Sequence, residues 1–312
     1  MMSLEEMGAA CLPVIDIGVL THRIGADRSL VIDEIRKACK GLGCFKIINH
    51  GISSSVTEGA LEVASDFFKL SKEEKAKYAS EDIHLPVRYG ASMEPRDFIK
   101  QYAHPLGEWS KFWPSSPDYR QKMGKYAMEV RRVTLQLMDA ILESLGLGEG
   151  YMADKFEEGM QVMTVNNYEK PSPEPDSTLG MAAHTDYGCL TILLQSSEGL
   201  QIVDNSIGAW RAVPELPGAL HVHIGDYLEV LSNGQYRSVV HRVVLDAQRR
   251  MSIASIHSLS MDEMVTPAKE LVDEQHPKGY RGSNFRDVLR YITNNDFTNG
   301  GSFINSLRIL AP

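Results

Sequence analysis

The spacing of apolar and polar positions divides the chain into two halves of different character. In the first, "LPVIDI" (12–17) and "CFKIINHG" (44–51) read as short strands, because apolar residues run together there between turn signals. Between them, "SLVIDEIRKACKGLG" (29–43) repeats apolar residues at helical spacing and stops at Gly41 and Gly43. "SSVTEGALEVASDFFKL" (54–70) predicts a second amphipathic helix, and Ser71 with Glu74 forms a capping box that opens a third. The longest periodic segment, 118–145, sets Met123, Tyr126, Val130, Val133, Leu137, Ile141 and Leu145 on one stripe.

The second half changes period. "MQVMTVNNY" (160–168), "CLTILLQ" (189–195), "LQIVD" (200–204), "ALHVHIG" (219–225), "DYLEVLS" (226–232), "SVVHRVVL" (238–245) and "RMSIASIHS" (250–258) read as short strands. Turn signals such as "SEG", "LPG" and "SNGQ" separate them. With no helical pattern between them, they predict an antiparallel double-sheet jelly roll rather than a parallel α/β sheet. A last helix is predicted at roughly 283–293, carrying Phe285, Val288, Leu289 and Ile292. The expected architecture is one domain over 1–312, mainly β with α. It has a helix-rich N-terminal half (1–150), a jelly-roll core (160–260) and a C-terminal lid segment (261–312).

Composition narrows the function classes. A chain of 312 residues with 43% hydrophobic content can bury a sizeable core. A net charge of -9, with charges interspersed, lacks the basic footprint of a nucleic-acid binder. No run approaches the ~18 apolar residues of a membrane span, and the acidic start "MMSLEEMGAACLPVIDIG" is unlike a secretory signal. The expectation is a cytoplasmic, monomeric protein whose partner is a small molecule, not nucleic acid or membrane. Cys11, Cys39, Cys44 and Cys189 make no Cys-x-x-Cys pair and read as reduced, buried thiols.

Candidate chemistry begins in "AAHTDYGCLTILLQ" (182–195). On an extended backbone, His184 and Asp186 point the same way and can grip one object together. The third ligand stays open on this reading. Cys189 fits more simply as a core thiol. His221 and His223 alternate with Leu220, Val222 and Ile224 on one strand face, where they fit either a metal or hydrogen bonds within the wall. His241, in "RSVVHRVV", follows His184 by 57 residues (241 − 184), room for a late strand to return beside an early one. Two histidines and a carboxylate on one side of a metal typify non-haem Fe(II) oxygenases, although zinc hydrolases use similar donors. Arg250 and Ser252 favour the oxygenase. They share one strand face, and a buried guanidinium fork suits the carboxylate of a keto acid. Tyr168 offers a further hydroxyl. The competing assignment pairs Arg250 with a surface acid such as Asp246.

The stretches "HTD", "GDYLEVLSNGQYRSVVHRVV" and "RMS", together with "PVIDI", "CFKIINHGI" and "KYAMEVRRVTLQLMDAILESLGL", closely resemble the plant-type 2-oxoglutarate- and Fe(II)-dependent oxygenases, in the flavanone hydroxylase and hyoscyamine hydroxylase group. The resemblance runs over almost the whole chain. It implies a double-stranded β-helix core, with His184, Asp186 and His241 as iron ligands. It implies Arg250 and Ser252 on the distal carboxylate of 2-oxoglutarate, assisted by Tyr168 and Asn166. It further implies O2 as oxidant, ascorbate as activity support, and decarboxylation of 2-oxoglutarate to succinate and CO2. That step is coupled to hydroxylation, desaturation or demethylation of a small, largely apolar specialised metabolite or hormone. By position in the family, "RDFIKQYAHP" (96–105) supplies Phe98 and Tyr102 to the substrate pocket, joined by Thr164, Ile256 and Ser258. Where the family reads N-Y-Y-P-P-C, this chain reads "NNYEKPSP": Tyr168 is kept and Asn167 replaces an aromatic. The stretch from His241 to Arg250 is about one residue short of the family pattern. Two other functions remain on the same scaffold: an Fe(II) oxidase that does not use 2-oxoglutarate, and a non-catalytic small-molecule binder.

Overall fold

Amphipathic periodicity and strand alternation place most elements. The computed structural model describes residues 12–21, 26–91, 96–169, 179–245, 248–294 and 302–309. In chain order the elements are β1 (Val14–Asp16), α1 (Ala26–Lys40), β2 (Cys44–Ile48), α2 (Ser54–Lys69), α3 (Lys72–Ala76), β3 (Val87–Ala91), β4 (Arg96–His104), α4 (Leu106–Trp109), α5 (Pro117–Ser144) and α6 (Ala153–Glu157). They continue as β5 (Gln161–Tyr168), β6 (Leu179–His184), β7 (Leu190–Gln195), β8 (Leu200–Asp204), β9 (Ala209–Ala212), β10 (Leu220–Ile224), α7 (Asp226–Leu231), β11 (His241–Val244), β12 (Arg250–His257), α8 (Phe285–Asn294) and α9 (Phe303–Leu307).

Local rules account for the helix ends. Ser71 Oγ accepts from the Glu74 amide at 3.3 Å, so the predicted capping box forms its first bond. Pro117 starts α5 at a position that needs no amide donor. After α1 the chain turns at Gly43, whose φ of +69° and close approach to the Arg237 carbonyl leave no room for a side chain. In α5 the predicted stripe is buried from Met123 to Ile141, while Leu145, just past the helix end, is half-buried.

The strands form two sheets. The major sheet runs β1-β2-β10-β7-β12-β5-β4-β3 and the minor sheet β6-β11-β8-β9. Every pairing is antiparallel except β1 with β2. α2 and α5 cover one face of the major sheet, against β5, β7 and β12. Met163, Val165, Ile192 and Ile253 join that core with Phe67, Val130 and Leu137. The other face of the same strands looks toward the minor sheet. β7 is buried on both faces, with Leu190, Ile192 and Leu194 toward the helices and Thr191, Leu193 and Gln195 toward the other side.

Two segments differ from the sequence reading. "DYLEVLS" is not a strand: it opens with α7, whose residues Asp226–Leu231 are all buried. A short run buried on every side has no polar face, so helix and strand look alike in sequence. Gly225 provides the extended N-cap, and the Leu228 and Glu229 amides both donate to its carbonyl. "RDFIKQYAH", assigned to the helical half, is the nine-residue strand β4. It pairs with β3 as a hairpin and widens the jelly roll by two strands.

The C-terminal segment folds back over the open end of the two sheets. Its anchor is Glu229, 1% exposed on α7. One oxygen accepts from the Ser238 amide (2.8 Å) and hydroxyl (3.0 Å); the other accepts from Tyr280 (2.8 Å) and Arg308 (2.9 Å). Arg308 and Arg237 are partly solvated and keep water when the carboxylate is lost. Glu229→Ala is therefore expected to cost about 2 kcal/mol, below the figure for a fully buried ion pair. Urea unfolding measures this, and an unchanged midpoint would mean the network does not fasten the segment.

Candidate active site

The site forms where β6 and β11 pair. His241 lies directly opposite His184 in the register. β6 ends at His184, so Asp186 sits in the loop beyond it. That loop is fixed by the Asp226 amide at the start of α7, which donates to the Asp186 carbonyl at 2.8 Å.

Two backbone carbonyls orient the imidazoles. His184 Nδ1 lies 2.8 Å from the Ala182 carbonyl and His241 Nδ1 lies 3.1 Å from that of Val239. A carbonyl only accepts, so each ring carries its proton on Nδ1 and leaves the Nε2 lone pair free. Those Nε2 atoms stand 3.8 Å and 3.9 Å from the same Asp186 oxygen, Oδ1. The three donor atoms lie within 4.8 Å of one another, the one such His, Cys or acid cluster among the described residues. Burial drives the pKa values of both His184 and His241 down. Burial pushes the Asp186 carboxyl the other way, but His241, His223 and His184 together hold it below the usual carboxylate range. Two neutral imidazoles and one carboxylate are the protonation states a divalent metal requires. Asp186 Oδ2 is buried without a hydrogen-bond partner. The donor set therefore fits Fe(II).

His221 and His223 are buried on β10. They do not form a metal cluster of their own. His223 borders the triad, with Nδ1 3.7 Å from Asp186 Oδ2 and its ring centroid 4.7 Å from that of His241. Cys189 is a buried thiol whose pKa burial raises to about 12, as expected of a core residue.

Arg250 opens β12 and is 3% exposed. Nη2 donates to Gln195 Oε1 at 2.8 Å and Nε to the Ser197 carbonyl at 3.2 Å, while Nη1 lies 3.5 Å from Ser252 Oγ. No ion pair to Arg250 exists among the described residues, and Asp246 lies outside them. A buried guanidinium without a counter-charge is costly unless an anion joins it. The register sets Tyr168 opposite Arg250, Asn166 opposite Ser252 and Thr164 opposite Ala254. Asn166 Nδ2 lies 3.4 Å from Ser252 Oγ, and its Oδ1 has no partner. The Tyr168 ring centroid is 5.1 Å from the Arg250 guanidinium carbon.

The triad and the arginine open into one cavity of about 830 Å³. Phe98, Thr164 and Ile256 line it, and Val288, Leu289 and Ile292 of α8 roof it. Gly90 makes room for Phe98, since a Cβ there would come within 2.7 Å of the ring. Two expected pocket residues fall elsewhere. Tyr102 packs edge-on against Trp109, with centroids 5.3 Å apart. Ser258 lies beyond the end of β12, beside the Cys189 sulfur at 3.8 Å. Sequence reasoning passed over Asp226, which is buried in the cavity wall with its pKa pushed up to about 7 by burial. It also passed over Arg88, Arg96 and Lys100, which line the cavity from the β3–β4 hairpin. The i, i+2, i+4 spacing in "RDFIK" was the available signal.

Comparison with known proteins agrees with this geometry. Residues 160–258 match the 2OG-Fe(II) oxygenase superfamily, and residues 12–120 match the non-haem dioxygenase in morphine synthesis N-terminal family. The chain is 53% identical over 309 residues to rice (Oryza sativa subsp. japonica) "2-oxoglutarate-dependent dioxygenase 21, chloroplastic", covering 96% of this chain and 92% of that one. It is 51% identical over 312 residues to "Flavanone 3-dioxygenase 3" of the same plant, covering 98% and 95%. Among solved structures it resembles JOX2 in complex with 2OG, Fe and JA, with a TM-score of 0.81 and 29% identity over 92% of this chain and 86% of that one. The first relative's printed name gives that protein a chloroplast location, at odds with the cytoplasmic expectation. No helix among the described residues is long and apolar enough to cross a membrane. With family models on both halves and close relatives along its whole length, the chain belongs to the 2OG-Fe(II) oxygenase superfamily and is a 2-oxoglutarate-dependent dioxygenase that uses Fe(II).

Proposed function

We propose that His184, Asp186 and His241 hold the iron and that Arg250 with Ser252 binds the distal carboxylate of 2-oxoglutarate. Asn166 and Tyr168 orient that co-substrate, and Phe98, Thr164 and Ile256 wall a small, largely apolar prime substrate. The observation that carries this reading is the convergence of two free Nε2 lone pairs and one carboxylate in the same cavity as an unpaired buried arginine. Bound Fe(II) supplies the reaction of O2 with 2-oxoglutarate, which yields succinate and CO2 and passes one oxygen atom to a substrate C–H bond. The chain's own part is to fix both small molecules and keep water out. Arg250 and Ser252 orient 2-oxoglutarate by its far end. α8 roofs the cavity with apolar side chains. The relative named as a flavanone dioxygenase and the neighbour solved with JA support a small-molecule prime substrate. The reading takes the protein as a cytoplasmic monomer acting on a free small molecule, without nucleic acid or membrane. The net charge of -9 supports the exclusion of nucleic acid.

The test is succinate release from 2-oxoglutarate under Fe(II) and ascorbate across a metabolite panel. Turnover independent of 2-oxoglutarate would favour the oxidase instead. Phe98→Ala separates substrate positioning from co-substrate chemistry. Product formation is expected to fall about a hundredfold, because a small misplacement of the reacting C–H costs rate steeply, while slow substrate-free succinate release persists. Equal loss of both would make Phe98 a structural residue, and an unchanged product yield would put it outside the pocket.

A further inference from the structure

Three cations line the cavity from the β3–β4 hairpin, Arg96 level with Arg250 across β5, and Lys100 and Arg88 further along the strands. On β4, Arg96, Phe98 and Lys100 alternate onto the cavity face. On β3, Arg88 lies directly opposite Lys100 in the register. Like charges directly opposite each other destabilise a hairpin. Both guanidinium groups stack on Phe98, with carbons 5.1 Å (Arg88) and 4.9 Å (Arg96) from its ring centroid. The Nε atoms of Arg88 and Arg96 are buried without hydrogen-bond partners. Lys100 is 9% exposed and donates to the Ile83 carbonyl at 3.0 Å. None of the three makes an ion pair among the described residues, whereas the hairpin's one acid in β4, Asp97, pairs with Lys75 of α3 at 3.5 Å. The fields of Glu81 and Asp82 reach Arg88 from exposed positions, without an ion pair to it. Burial first, and Arg88 second, lower the Lys100 pKa to about 8, so the ammonium is still mostly charged at neutral pH.

We propose that the prime substrate carries a carboxylate and that Arg88, Arg96 and Lys100 bind it. This rests on reading the cavity as the substrate site. An uncharged ligand would leave three positive charges facing one another in a partly dry wall, whereas a carboxylate neutralises them and fills the free guanidinium donors. The position is distinct from that of 2-oxoglutarate. β5 separates β4 from β12, so the β4 and β12 backbones lie about 10 Å apart, and β3 lies one strand further. A flat acid anchored at the hairpin lies along Phe98 and turns its opposite end toward His184, Asp186 and His241.

The experiment compares naphthalene-2-carboxylic acid with its methyl ester, titrated calorimetrically into the full-length protein loaded with Fe(II) and 2-oxoglutarate without oxygen. The acid is expected to bind at least about tenfold tighter. In Arg88→Gln and in Lys100→Met it should weaken about ten- to a hundredfold relative to the ester, the range for a lost charge-assisted hydrogen bond. The acid-to-ester ratio is internally controlled, because poor folding weakens both ligands together. Should Lys100→Met fail to fold, Arg88→Gln, at a half-buried position, decides alone. Equal binding of acid and ester, binding of neither, or an acid preference unchanged in the variants overturns the proposal. Succinate release by the same wild-type preparation in air tests the oxygenase reading separately: its presence without an acid preference leaves that reading intact and removes only the anionic substrate.

Discussion

The His241→Ala protein folds but releases no succinate from 2-oxoglutarate. The substitution removes one of two Nε2 lone pairs and leaves His184 and Asp186, both from β6 and the loop after it, as a two-donor remnant. The expected stability loss is modest, about 1–3 kcal/mol, from a small void and the Val239 carbonyl left without its partner. Iron content measured on the purified variant separates loss of metal from loss of fold. The spare imidazole of His223, 4.7 Å from that of His241 between centroids, makes this a demanding test. Full activity in the variant, or retained iron that disappears only on changing His223, would transfer the ligand role to β10.

Arg250→Lys should raise the KM for 2-oxoglutarate about ten- to a hundredfold while the melting temperature moves little. Arg250 reaches Gln195 and Ser197 with two of its nitrogens and keeps the rest of the fork toward Ser252 and the cavity. A lysine keeps the charge but has one nitrogen, so it loses the paired contact to a carboxylate. The lost charge-assisted hydrogen bond is worth about 1.5–3 kcal/mol, which sets the expected range. An unchanged KM would remove Arg250 from the co-substrate site.

Much of this was legible in the chain because the signals were local. His184 and Asp186 announce themselves by a spacing of two, and Arg250 and Ser252 do the same. The third ligand was not local. His223 and His241 both sit on alternating strands, and on the bare residues only the cross-strand register that sets His241 opposite His184 separates them. α7 was hidden because all six of its residues are buried, which erases periodicity. β4 was hidden for a different reason. Both of its faces are mixed, Arg96, Phe98 and Lys100 toward the cavity and Asp97, Ile99 and Gln101 on the other side, so no apolar-polar alternation marks it as a strand. Position in the family put Tyr102 and Ser258 on the expected pocket list, but such a match does not say where this chain's cavity ends. Tyr102 packs instead against Trp109, and β12 stops before Ser258.

β3 is the outermost strand of the major sheet with β4 next to it, and α8 belongs to neither sheet. Arg250, Ser252 and His241 sit instead on β12 and β11, each bonded to a strand on both sides. A substitution at the margin disturbs few neighbours, whereas one on an inner strand is felt across several. Descendants of one ancestral gene can thus exchange the walls that recognise a metabolite while inheriting the oxygen chemistry unaltered. Selection can try a new substrate by rewriting a hairpin and a helix while the strands that carry the iron ligands are kept.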